Sequence, residues 1–206
     1  MLLAIDTSAG ISVAVVDRDA GILAERSSED TRSHAELIGD FIHECLAESG
    51  IAVSALSGVV AGMGPGPFTG LRVGIAAARV FAIGAGKPVI PVVSHDAIAF
   101  GSSEPLLVVT DARRREVYWS AYSGADAAGL PVRLGAPALA KPADLLEVDF
   151  VHAGLPRLDA ATISAGDLGM VAELGFAAGH PFAADEALYL RSPDVTVSKN
   201  GPKRVS

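Results

Sequence analysis

Several stretches of this sequence hold residue types that could do chemistry. Asp6-Thr7 closes the apolar run LLAIDTS, and Asp111 closes a second run, LLVVTD. Carboxylates at two strand ends, facing each other across a cleft, can hold a nucleotide-bound Mg2+ through water. The same residue types are equally ordinary turn-formers. Ser94-His95-Asp96 carries the three residue types of a hydrolase triad. Triad members converge from different elements with the imidazole in the middle, whereas three adjacent side chains diverge, so no catalytic role is assigned to them. The histidines 34, 43, 95, 152 and 180 are scattered and form no HExxH pattern, so no zinc site is legible.

The stretch GMGPGPFTGLRVG (62–74) packs five glycines and two prolines between a strand-like and a helix-like run. A phosphate cradle needs successive backbone N–H groups converging at a helix N-terminus. Pro65 and Pro67 each remove one, Thr69 stands where the dinucleotide pattern needs glycine, and no Gly-Lys-Ser/Thr follows. The helix beyond it carries Gly70, Gly74, Ala77, Ala78, Ala82 and Ala85 near one face. Mid-helix glycines cost about 1 kcal/mol each against alanine, so close packing must compensate, inside the molecule or against another protein. Arg72 and Arg79 share a different face and cannot both be buried unpaired.

Composition limits the classes. Of 206 residues, 50% are apolar and 19% charged, which fits a globular chain. Apolar runs fall short of the ~18 residues a membrane helix needs, and the first residues read straight into a strand without a basic leader. With Cys45 as the single cysteine, a cytoplasmic setting is expected. The net charge of −8 argues against a broad nucleic-acid surface. Two basic features stand against it: consecutive Arg113, Arg114 and Arg115, and a tail with Lys199, Lys203 and Arg204. They read as a solvated turn and a loose end, or as contacts to a phosphate-bearing partner.

The elements that must position these residues follow from periodicity. Runs 2–8, 11–17 and 21–29 read as strands, and their short turns force antiparallel pairing. Residues 33–49 switch to helical spacing, with Ile38, Phe41, Ile42, Cys45 and Leu46 on one stripe. Ser33 to Glu36 fits a capping box. A strand at 57–61, a helix from about 69 to 85, a strand at 88–93 and a short helix at SHDAIAF complete the order β-β-β-α-β-α-β-α. That order predicts an α/β fold with a mixed sheet. After residue 101 the pattern restarts as strand, turn, strand over 106–122. Aligning Asp6 with Asp111 superimposes the two openings and favours two related lobes. The expected division is 1–101, a smaller lobe 102–191 and a flexible basic tail 192–206. Residues 124–142 read as loops, and 161–190 give no assignable element.

LLAIDTS, GPGPFTGLRVG, DARRREVYWSAY and ALYLRS together resemble the TsaB (YeaZ) family. Pro67 departs from that family's usual serine. The resemblance implies an actin/Hsp70-like (ASKHA) fold of duplicated lobes, each opening with a β-meander. It implies a role in making N6-threonylcarbamoyladenosine at position 37 of tRNA, as a non-catalytic scaffold and activator of a TsaD paralogue. That paralogue binds metal through HxxxH; the matching positions here are Ser94 and Ile98. The implied contact uses the helices at 33–49 and 69–85, giving His34, Leu37, Ile38, Phe41, Phe68, Thr69, Gly70, Leu71, Arg72 and Gly74 as candidate interface residues. A TsaD homologue is the expected partner, with a TsaE-like ATPase, self-pairing when alone, tRNA reached indirectly, and no membrane. No cofactor is expected of this chain. The alternative is an ATP-dependent small-molecule kinase of the actin-like superfold, with Asp6, Thr7 and Asp111 facing nucleotide and metal.

Overall fold

The computed structural model describes residues 1–30, 34–146 and 154–191, with side chains at 34, 35 and 146 left out. Ser33 of the expected capping box and the tail from 192 lie outside the described residues. β1 (Leu2–Asp6), β2 (Ile11–Asp17) and β3 (Gly21–Ser28) form an antiparallel meander. α1 (His34–Ser49) and a 3-10 turn (Val53–Ala55) lead to β4 (Gly58–Gly62), parallel to β1. α2 (Phe68–Ala85) returns the chain to β5 (Val89–Val92), parallel to β4, and α3 (Ser94–Ala99) follows. The first sheet therefore runs β3-β2-β1-β4-β5, mixed as the periodicity predicts.

Alternation along β1 sets the layers. Leu3 and Ile5 point to the face covered by α1 and α2, with Ile38, Cys45, Leu71 and Ile75. Leu2 and Ala4 point to the opposite face. There the structure departs from expectation. That face is covered by α4 (Ala165–Ala178), a helix the sequence does not announce. Glycines at 166, 169 and 175 hide it, yet the first two are why it fits. A Cβ on Gly169 would stand 2.6 Å from Val16, and one on Gly166 2.4 Å from Ile22. Ser164 caps its start by accepting from the Asp167 N–H, and Gly179 ends it with positive φ.

A second sheet, β10-β6-β7-β8, is built from β6 (Leu106–Asp111), β7 (Val117–Ala125), β8 (Pro131–Arg133) and β10 (Arg157–Ala160), with β9 (Ala138–Ala140) also on β7. β8 and β9 lie in the stretch expected to be loops; three-residue edge strands leave too little alternation to read. The expected division at residue 101 also needs correction. α4 packs on the first sheet, and residues 185–191 strap across α2 towards the β6–β7 turn. Leu188 N–H bonds the Met63 carbonyl, Tyr189 stacks at 5.0 Å on Phe68, and Arg191 donates to the Ala112 carbonyl and pairs with Glu116.

α3 fastens the two sheets. Ser94 Oγ donates to Asp6 at the end of β1. His95 sits between Thr110 and Ser120 of the second sheet, at 2.9 and 2.8 Å. Asp96 accepts from Tyr122 and from Arg133, both at 2.8 Å. Burial, with the Arg133 charge adding to it, pushes the His95 pKa down to about 3. Burial raises that of Asp96, against the opposing pull of Arg133 and Tyr122. The three adjacent side chains thus diverge to three separate partners.

α2 has a further property. It is the one helix among the described residues long and apolar enough to cross a bilayer by length and composition, which the run-length reading above missed. Its small-residue face is packed on the sheet and its outer face carries Arg72 and Arg79.

Three expectations follow. A Cβ on Gly74 would lie 2.2 Å from Thr7 Oγ1, so Gly74→Ala should cost about 2 kcal/mol in urea unfolding. Gly84 faces open space, and Gly84→Ala should gain up to about 1 kcal/mol. Because folding holds His95 neutral, its contribution is complete above the unfolded value of about 6.5 and is lost as pH falls from there towards about 3. Asp96 acts with the opposite sign, since the folded state takes up its proton sooner. Stability measured at pH 7 and pH 5 should therefore drop by about 2 kcal/mol more in the wild type than in His95→Gln.

Candidate partner-binding surface

The Gly-rich turn closes on its own molecule. Residues 61–66 are all buried, and the Gly64–Pro65 bond is cis. A Cβ on Gly62 would stand 1.8 Å from Asp6 Oδ2. Pro67 forms the N-cap of α2 and offers it no side-chain bond. The turn is an internal seam between β1, α2 and α3, and its glycines are there to let those elements meet.

Asp6 and Thr7 belong to that seam. Asp6 is 1% exposed and accepts from the Ser8 N–H and from the hydroxyls of Ser8 and Ser94. Thr7 Oγ1 donates to the Gly70 carbonyl at 2.6 Å and accepts from the Gly74 N–H at 3.0 Å. Thr7 therefore holds β1 against α2, and Asp6 holds it against α3. Asp111 is exposed and lines a cleft of about 200 Å³ with Ser8, Pro67, Arg113 and Ala160, a cleft whose lining does not include Asp6. Among the described residues, no three His, Cys, Asp or Glu side chains come together as a metal cluster.

The candidate interface residues divide. Gly70, Leu71, Gly74 and Ile38 are buried under the sheet's own packing, so they are not a surface. The physical reason is the missing side chains: the stripe that allows close approach is the stripe the sheet takes. Leu37 and Phe41 are half-buried against the same core cluster. Phe68 is half-buried, stacked on Tyr189 and capped by the Arg72 guanidinium 3.8 Å from its ring centre. Thr69 and Arg72 are exposed. His34 lies at the first position of α1, with its side chain outside the described residues.

What the two helices show to solvent is different. Val80 and Ile83 of α2 are 69% and 80% exposed. Ala76 and Gly84 beside them, and Gly39 on α1, are exposed too, with open space around both glycines. Glu36 and Asp40 supply charge on the α1 flank, and Arg72 on the α2 flank. Arg79 is tied to the strap by Asp185 at 2.8 Å, beside a groove of about 610 Å³ lined also by Ala76 and Tyr189. The signal for this surface was present in the helical phase. Ile83 is nine positions from Gly74, about half a turn away around the helix. An apolar residue opposite a buried small-residue stripe has no core left to enter.

Comparison with known proteins places the chain in a family. The family model for TsaD, tRNA N6-adenosine threonylcarbamoyltransferase, matches residues 15–173. An uncharacterized Mycobacterium tuberculosis protein, Rv3421c, is 40% identical over 94% of this chain and 92% of its own length. The Escherichia coli tRNA threonylcarbamoyladenosine biosynthesis protein TsaB is 28% identical over 94% of this chain and 80% of its own. A Pseudomonas aeruginosa structure described as similar to peptidase YEAZ superimposes with a TM-score of 0.76, at 26% identity, over 92% of this chain and 99% of that one. The chain belongs to the TsaD family, and along nearly its whole length it is similar to that family's TsaB and YeaZ proteins.

Proposed function

We propose that this chain acts in forming N6-threonylcarbamoyladenosine on tRNA as a non-catalytic scaffold, docking a TsaD-type catalytic subunit on the outward flank of α1 and α2. The observation that carries the reading is the exposed pair Val80 and Ile83, set on α2 with the exposed small residues Ala76 and Gly84. Apolar side chains fully in solvent on a helix with two small neighbours suit a helix-packing interface better than a monomer surface. Acids on α1 and Arg72 on α2 give the rim charges that set orientation. The same flank is where two copies of the chain would pair when the catalytic subunit is absent. A TsaE-like ATPase joins the assembled pair, no cofactor is bound by this chain, and the setting is cytoplasmic.

Sheet topology supports the duplicated, actin/Hsp70-like reading. The order β10-β6-β7-β8 repeats β4-β1-β2-β3, with the same parallel and antiparallel pairings. The kinase alternative loses its support at Asp6 and Thr7, which spend their oxygens on internal bonds.

Val80→Asp with Ile83→Asp is the direct test. Exposed substitutions of this kind move stability by about 0.5 kcal/mol or less each, while an interface centre would bury two carboxylates at a cost above about 2 kcal/mol. Co-elution with the TsaD-type subunit and tRNA modification by the reconstituted complex should both be lost at an unchanged melting temperature. Full activity in the double variant would refute the surface. Phe41→Asp makes the contrast: its ring packs on the core cluster, so its melting temperature should fall.

A further inference from the structure

We propose that the β6–β7 turn is a direct contact for the phosphate backbone of RNA, which, given the reading above, is tRNA. Arg113, Arg114 and Arg115 are exposed and have φ of 63°, 53° and 63°. The Glu116 N–H closes the turn on the Arg113 carbonyl at 3.0 Å, and the Ala112 N–H bonds the Glu116 carbonyl at 3.0 Å. Arg114 and Arg115 are thus the two central residues of a tight hairpin turn with positive φ. Asn-Gly is the low-strain occupant of such a pair. A side chain with a Cβ and no local hydrogen-bonding oxygen is disfavoured there. This turn holds three such residues in succession, all of one charge. Strain of that kind marks a functional constraint, and what the three residues share is a guanidinium.

The surroundings keep that charge outward. The two flanking acids have arginine partners of their own: Asp111 lies 3.7 Å from Arg113, and Glu116 pairs with Arg191. Arg191 also donates to the Ala112 carbonyl, which ties the end of the strap to the base of this turn. Guanidinium groups suit bidentate binding of phosphate oxygens, and a rigid hairpin presents them with little ordering cost. Such a contact holds and orients RNA without reading its sequence.

The test pairs two double variants. Arg114→Asn with Arg115→Gly relieves the strain and removes the charge; Arg114→Lys with Arg115→Lys keeps both. The full chain, alone and in complex with the TsaD-type subunit, is titrated with unmodified tRNA by fluorescence anisotropy at rising KCl, and with anionic phosphatidylserine vesicles in a parallel arm. The Asn-Gly variant should melt no lower than wild type, still co-elute with the partner, and bind tRNA about tenfold more weakly, with a log–log salt slope shallower by roughly 2. The Lys variant should stay within about threefold of wild type. Wild-type tRNA affinity in the Asn-Gly variant, or wild-type binding to vesicles and not to tRNA, would overturn the proposal. Because the chain alone is also titrated, loss of partner co-elution would count against the scaffold reading and leave this one standing or falling on its own binding curve.

Discussion

The two sheets meet through one short helix whose first three side chains point three ways. Ser94 reaches the end of β1, His95 enters the second sheet, and Asp96 bonds Tyr122 and Arg133 beyond it. Each bond is buried or half-buried, where an unmet polar group costs about 1–3 kcal/mol. The three are satisfied together only when both sheets are in place. Burial holds the imidazole neutral, which lets it bridge two hydroxyls as donor to one and acceptor from the other. The arrangement of the molecule around the cleft at Ser8, Pro67 and Asp111 follows from that fastening.

A second constraint is the closeness of α2 to β1. Thr7 Oγ1 bonds the backbone of α2 at two places, and that geometry leaves no room for a side chain at Gly74. Once the small residues are committed inward, the helix has to turn its remaining apolar residues out. Val80 and Ile83 are exposed for this reason before any partner is considered. α4 solves the same problem on the other face, where Gly166 and Gly169 let it lie on Val16 and Ile22. There too an aromatic residue, Phe176, is left 74% exposed.

Much of this was legible in the sequence. Alternation and short turns gave the meander and the mixed first sheet, because buried strands and tight turns leave strong local marks. The divergence of Ser94, His95 and Asp96 followed from adjacency alone. α4 was illegible because its glycines erase the amphipathic stripe; its only local marks are Ser164 before Asp167 and Gly179 after the last turn. The candidate surface was read onto α1 and α2, and of the residues named on α2, Gly70, Leu71 and Gly74 are buried. A small-residue stripe states that something packs closely and does not state what. Only the fold shows that Thr7 takes that place. The strap at 185–191 was hidden for another reason: its bonds to Met63, Phe68 and Ala112 join residues far apart in the chain.

The positions that resemblance assigns to metal ligands in a catalytic paralogue show how such a cleft becomes structure. At the first, Ser94 shares hydrogen bonds with Asp6, Ser8 and the Gly64 N–H. At the second, Ile98 packs against the apolar clusters on both sides of α3. A metal site needs donors that converge with lone pairs to spare. Here the donor at one position is consumed by the seam, and the other position holds hydrocarbon. Placing histidine at both would have to displace the Asp6 network and open a void or a clash beside Ala97 and Ala99, so the fastening that joins the sheets also fills the two positions.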